Sequence, residues 1–501
     1  MSPRHFSPAV IFKIILFLNA CMFVFGLWHR APDIDDAWIG EPVWWMYKVG
    51  YAKSELMHGV TSQEVRSLVH HKLFSLNGLV SVKLFGFSLY SLKAVSLVWF
   101  VVFCVVLYRY MLKKFNKDLA LFVLMLFTIN AFVFQYGFVF RPEIMVMTLG
   151  FISWIFLERT LKYSSKRHLA VLLSGLFAGL AASGHLNGMI FMGAGGLLLL
   201  WNKRWIGSLI FAAGSLAGFA VYFYDFTPEF GFNYWLMQIN NSPALFHSKV
   251  LPKSFSFLAK LWREHLRFFH SPREIALSLM VIFVLVSGYK LLYKSLKQEM
   301  RYLMLLAILL ALLAVHSTGK YLLLYMPHLL IIAGLALQQL YHFRKKNVPL
   351  IGRFSSRQAW PWGLALAIVY IGINVGWNIV TASDKWNSQI NRELSLKFTG
   401  DEAAKMKVVA PMHFIFNEIK HYDRIQADLS FGDLEKTGID ISGAEFIDLL
   451  NFYEINRLYL TPEYESKFEI NNLPPLGSGQ EAVTRLGEFN GLSIYKYNGT
   501  K

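Results

Sequence analysis

Three carboxylates stand within four residues at Asp33, Asp35 and Asp36, and Glu41 follows in Gly40-Glu-Pro42. Carboxylates this close repel one another, and the pKa of at least one rises unless a cation or a metal compensates. The cluster suits a general base or a metal site, and it equally suits a helix N-terminus, where Asp caps free N–H groups and complements the dipole. A second motif, Phe140-Arg-Pro-Glu143, carries Arg141, whose guanidinium can hold a phosphate through two parallel bonds. An arginine reaching along its stem to the membrane surface has the same local sequence. In a third, Thr318-Gly-Lys-Tyr321 followed by Pro327, Lys320 is nearly the sole basic residue of its connection. A cation against the local charge bias points to an anionic partner such as a lipid phosphate, or to an interfacial Lys-Tyr anchor. His70, His71, His185 and His316 lack a His or Glu partner at helical ligand spacing, which favours packing or hydrogen bonding over zinc.

The elements that must position these residues are membrane spans. Of 501 residues 55% are hydrophobic and only 16% charged, a balance that needs the bilayer as solvent. Apolar runs long enough for a ~30 Å hydrocarbon core fall at about 9–28, 89–111, 119–138, 143–161, 168–184, 187–201, 205–224, 274–293, 301–317, 321–341 and 360–381. The first is read as a retained span, because no small-residue cleavage site follows it. A net charge of +17 would suggest nucleic acid for a water-soluble domain, but here Lys and Arg cluster in every second connection, as topology requires. With those clusters in the cytoplasm, the connections at 29–88 and 225–273 lie outside, as does the tail. Cys21 and Cys104 both sit in apolar runs, so neither a disulfide framework nor a thiolate metal site is indicated. No P-loop or dinucleotide fingerprint supports nucleotide hydrolysis.

Both long outer connections are rich in Trp, Tyr and Phe among charges, as expected of helices lying in the interface. The tail from about residue 383 turns polar. Short β-like runs at Lys407–Ala410 and Arg457–Leu460 flank helical spacing at 443–454. The expected fold class is therefore an all-α polytopic membrane domain over 1–382, with about eleven spans and interfacial helices in its first outer loop, and a small extracytoplasmic α/β domain over 383–501.

These pieces resemble the GT-C membrane glycosyltransferases, in particular the branch of the protein O-mannosyltransferases and the aminoarabinose transferases of lipid A. Asp35-Asp36 stands where that branch has Asp-Glu after the first span, and Gly40-Glu-Pro-Val-Trp-Trp45 continues similarly. His70-His-Lys-Leu-Phe74 through Lys83-Leu-Phe-Gly86 resembles its His-Pro-Pro-Leu-Tyr segment leading to Lys-Leu-Phe-Gly. Arg141-Pro-Glu143 resembles its Arg-Pro-Asp, and Lys320-Tyr321 with Pro327 its late basic-Tyr and Pro pattern. Asp36 in place of Glu, and His71-Lys72 in place of Pro-Pro, depart from the pattern at the metal-dependence and loop-geometry positions.

The resemblance implies an inverting transferase that moves a sugar from a polyprenyl-phosphate donor to a lipid, glycan or protein acceptor on the outer face of a membrane, expected to be the bacterial inner membrane. In that reading Asp35 is the base and Asp36 its catalytic partner, while Arg141, Lys320, His70 and Tyr321 bind the donor phosphate. Glu41 and Asp33 support the base or hold a divalent cation. The alternative is a proton-coupled transporter or lipid flippase, which would need ionisable groups in mid-span rather than at the rim.

Overall fold

A backbone in hydrocarbon must satisfy its own polar groups, so the apolar runs become helices. The computed structural model describes residues 8–162, 168–242, 259–260, 262–314, 317–351, 354–477 and 479–499. The first half consists of α1 (Pro8–His29), α2 (Ile34–Val49), α3 (Lys72–Phe85), α4 (Leu89–Lys114), α5 (Lys117–Ile129), α6 (Ala131–Tyr136), α7 (Glu143–Lys162), α8 (His168–Gly184), α9 (Met189–Trp201) and α10 (Trp205–Phe219). Beyond them come α11 (Phe232–Asn240), α12 (Pro272–Leu313), α13 (Met326–Phe343) and α14 (Ser356–Ala382). Among the described residues seven helices are long and apolar enough to cross a membrane, with two shorter apolar ones at His168–Gly184 and Leu186–Trp201. The chain is an integral membrane protein.

The eleven expected runs do not map one to one onto such helices. The run at 119–138 divides at Asn130, whose side chain accepts from the N–H groups of Phe132 and Val133 and so caps α6. Polar residues of α14 satisfy the rest of the break: Asn374 accepts from Ala131 N at 2.7 Å, and Asn378 donates to Ile129 O at 2.8 Å. The runs at 274–293 and 301–317 are two arms of α12, which leaves helical geometry at Leu296 (φ −121°, ψ 18°). Leu277 and Leu285 line the same cleft as Met300 and Met304, so the arms fold back on each other. Residues 243–258 of the second outer connection, and His316, lie outside the described residues.

Small residues bring α8 and α10 into backbone contact. A Cβ added at Gly175 or Gly179 would stand 2.1 and 2.0 Å from the carbonyl oxygens of Phe211 and Ser215, and one at Gly214 or Gly218 would stand 2.3 Å from those of Leu172 and Leu176. Such glycine-lined contacts replace the hydrophobic driving force that helices lack inside lipid.

The tail forms β1 (Lys407–Ala410), β2 (Arg424–Ala427), β3 (Arg457–Leu460), β4 (Val483–Phe489) and β5 (Leu492–Tyr497), in the order β2-β1-β3-β5-β4. The first three pair in parallel and β5 runs antiparallel to both β3 and β4. The two strands expected from sequence appear with the same bounds, and the helical run appears as Gly443–Phe452. The sheet rests on the loop that follows α2: Ala427 N donates to Leu56 O at 2.9 Å, and Gln426 donates to His58 O at 3.2 Å.

Candidate active site at the N-terminal ends of α2, α4 and α7

Asp33 opens α2 as its N-cap. Its side chain accepts from Asp35 N at 3.1 Å, while Asp36 returns a bond to Asp33 N at 2.8 Å, a reciprocal capping box. Asp36 is fully buried, and its other oxygen accepts from Phe140 N, which fastens the start of α2 to the Arg141 turn. Lys93 lies 3.9 Å away. Burial pushes the Asp36 carboxyl up to about 6. With both oxygens engaged by backbone donors, Asp36 belongs to the framework, whereas sequence reasoning made it a catalytic partner.

Glu41 is also turned inward. It accepts from Trp45 Nε1 at 2.9 Å, Ser54 Oγ at 2.5 Å, Glu55 N at 2.7 Å and Leu56 N at 3.0 Å, and so anchors the loop that follows α2. Burial raises its carboxyl to about 7. Asp33, Asp36 and Glu41 are thus committed to holding backbone. No group of three or more His, Cys, Asp or Glu side chains converges as a metal site among the described residues.

Asp35 is the carboxylate left facing the site, with its side chain 20% exposed. Its partner is Arg141 Nη1. Burial raises the Asp35 carboxyl and Arg141 opposes that rise. Arg141 is itself buried and is oriented from behind by Glu143, which accepts from Nε at 3.0 Å and from Nη2 at 2.7 Å. This leaves Nη1 aimed at Asp35. Glu143 is the functional candidate that sequence reasoning passed over, although it closes the Arg-Pro-Glu motif that was singled out.

Lys320 belongs to the same electrostatic neighbourhood as Asp35, Arg141 and Glu143. Among the described residues no carboxylate lies within 4 Å of it, so its ammonium is uncommitted. Its neighbour Tyr321 is buried, with the His185 ring edge-on at 5.8 Å. His185 stacks on His71 at 4.7 Å with ring planes 17° apart. Burial, and then each other's proximity or the nearby cations, lower both imidazoles, His185 to about 4. The bond from Asn187 N to His185 Nδ1 (3.0 Å) makes that nitrogen the acceptor, so neutral His185 carries its proton on Nε2.

His70, expected to bind phosphate, is directed elsewhere. Its Nδ1 meets Ser67 O at 2.8 Å and its Nε2 lies 3.8 Å from Asp225, the buried partner of Lys72. Lys72 binds both Asp225 oxygens, at 2.6 and 2.8 Å, and so joins the start of α3 to the segment after α10. His71 takes the position near the cations in place of His70.

One partly exposed carboxylate, paired with a buried guanidinium held from behind, thus shares its electrostatic surroundings with the Lys320 ammonium. Over 97% of both chains the structure superposes on ArnT from Cupriavidus metallidurans bound to undecaprenyl phosphate, with a TM-score of 0.60 and 11% identity. The chain has the GT-C fold. It matches apo ArnT equally, with a TM-score of 0.59 and 12% identity over 97% of both chains. The oligosaccharyltransferase of Archaeoglobus fulgidus tethered to an acceptor peptide matches 90% of this chain and 69% of its own, with a TM-score of 0.58 and 11% identity. Residues 79–224, which include Arg141, Glu143 and His185, match the family model for dolichyl-phosphate-mannose-protein mannosyltransferase. No curated protein sequence matches the chain.

Proposed function

We propose that this GT-C chain is an inverting glycosyltransferase, taking a sugar from a polyprenyl-phosphate donor and passing it to a lipid, glycan or protein hydroxyl on the outer face of the membrane. The observation that carries this reading is the pairing of partly exposed Asp35 with Arg141 beside uncommitted Lys320. The acceptor oxygen attacks the anomeric carbon from the face opposite the phosphate. The acceptor proton passes to Asp35, the sugar–phosphate C–O bond breaks, and polyprenyl phosphate leaves with the bonding pair. A base held this way contributes roughly 10²–10⁴-fold.

Negative charge grows on the leaving phosphate, so fixed cations there stabilise the transition state more than the ground state. Before donor binds, Arg141 Nη1 rests on Asp35. An arriving phosphate competes for that N–H and frees the carboxylate to accept a proton, while Glu143 keeps the guanidinium in place. Lys320 supplies a second positive charge, and neutral His185 can donate from Nε2. In this scheme Asp36 and Glu41 position the base rather than react.

A radiolabelled polyprenyl-phosphate sugar supplied to the full chain in lipid vesicles tests the reading. Wild type should release polyprenyl phosphate and label an envelope extract. Asp35→Asn should lower transfer by about 10²-fold or more, and full activity in that variant would exclude Asp35 as the base.

A further inference from the structure

The helices that carry the candidate site also build a polar cavity at their far ends. α7 begins at Glu143 in the site and ends at Lys162, and α4 begins near Lys93 and ends at Lys114. At 1.5 Å per residue the 20 residues of α7 span about 30 Å, so this cavity and the candidate site lie on opposite membrane faces. The far cavity holds about 640 Å³ and is lined by five cations, Arg109, Lys113, Lys114, Arg159 and Lys162, against one carboxylate, Glu158.

That carboxylate is already satisfied. Glu158 receives Lys114 at 2.8 Å, Lys162 at 3.3 Å and the Tyr110 hydroxyl at 2.9 Å. Lys114 is also bound to buried Glu299 at 2.9 Å, which fixes the floor of the cavity. Arg109, Lys113 and Arg159 have no ion-pair partner among the described residues. Topological bias alone calls for basic residues in this connection, but not for their convergence on a cavity with a neutralised floor. Val106 and Ile155 add an apolar wall on the bilayer side. Cations above an apolar wall between transmembrane helices match a phosphate whose ester chains stay in hydrocarbon.

We propose that this cavity binds the phosphate headgroup of an anionic phospholipid in the leaflet opposite the candidate active site. Arg109, Lys113 and Arg159 hold the phosphate oxygens, and Val106 and Ile155 pack against the first methylenes of the acyl chains. Free inorganic phosphate shares the headgroup chemistry but would not use the apolar wall.

Native mass spectrometry of the purified full chain, titrated with phosphatidylglycerol or with phosphatidylcholine of matched chains, reads this out. Wild type should retain phosphatidylglycerol at least about tenfold better, and R109Q/K113Q/R159Q should lose that preference. The charge-keeping R109K/K113R/R159K should preserve it, as should K290Q on another connection. These side chains are exposed, and a thermal melt of each variant reports folding independently. Equal retention of the two lipids by wild type, or an unchanged preference in the triple Gln variant, would overturn the proposal. So would displacement of bound phosphatidylglycerol by millimolar inorganic phosphate, which would assign the cations to the free ion.

Discussion

Exchanging Glu143 for Gln probes the candidate site at the residue that orients its arginine. Glu143 is buried behind Arg141: both its oxygens accept from Nε at 3.0 Å, and Oε1 also accepts from Nη2 at 2.7 Å. Gln keeps the shape but turns one oxygen into an N–H₂ group facing N–H donors, and it removes the charge that balances a buried guanidinium. Removing one member of a buried pair costs about 3–5 kcal/mol. Asp35 remains on Nη1 and takes up part of the charge, which brings the expected loss to roughly 2–3 kcal/mol. The larger consequence is positional. With Glu143 gone the guanidinium swings toward Asp35, and a displacement on the order of 1 Å costs about 10²-fold in transfer. Donor turnover in vesicles should show kcat/KM down by about that factor, with Glu143→Asp between the two. Chemical denaturation of the same samples should show the stability loss. A Glu143→Gln protein within twofold of wild type in turnover and unchanged in stability would refute the argument that Glu143 positions Arg141.

The stacked pair His71 and His185 is held neutral, so any inflection of kcat/KM near the usual histidine value should persist in His185→Gln; a limb there that disappears in this variant would contradict this. Glu41 is raised to about 7, above its ordinary 4.5. The folded state then binds more protons than the unfolded chain between those values, so stability should fall as pH rises from about 4.5 to 7, by on the order of 3 kcal/mol from this group. Melting curves across that range should flatten in Glu41→Gln, whatever its absolute stability. Gly179→Leu forces a Cβ to within 2.0 Å of the Ser215 carbonyl, so it should separate α8 from α10 and abolish the monodisperse peak in fluorescence-detected size exclusion.

Asp35, Arg141 and Lys320 were legible in the sequence because each sits at the end of an apolar run, and the charge alternation puts all three ends on one side. The division of labour within the acidic cluster was not legible. Asp33 and Asp36 are spaced as a capping box, a signal that was available, but only the fold shows Phe140 N reaching Asp36 across 104 residues. His70 and His71 are adjacent, and a one-residue difference at the start of α3 decides which faces the cations, beyond what periodicity can resolve. Glu143 follows Arg141 by two residues across a proline, and its grip depends on how that turn enters α7. The eleven apolar runs do not match the seven long apolar helices among the described residues one to one, because hydropathy marks apolar length but not a break satisfied by a neighbour, as at Asn130, nor a hairpin inside one run of helix, as at Leu296. The two strands read from sequence are short apolar runs, Val408-Val409 in one and Leu458-Tyr459-Leu460 in the other, set among polar residues, which is where pattern is most informative.

The contact between Leu56 and Ala427 also orders events in time. Gln426 and His58, which join the same two segments, are separated by 368 residues. At about 5–20 residues per second, roughly 20–70 s of synthesis separate insertion of α1 and α2 from the emergence of the strand that covers their loop. For that interval the loop anchored on Glu41 lacks its cover. A chain stalled before residue 424 would carry Asp35, Arg141 and Lys320 in the membrane with that loop unbraced, so ribosome-arrested intermediates should expose His58, which packs against Tyr453 in the finished protein, to faster surface labelling.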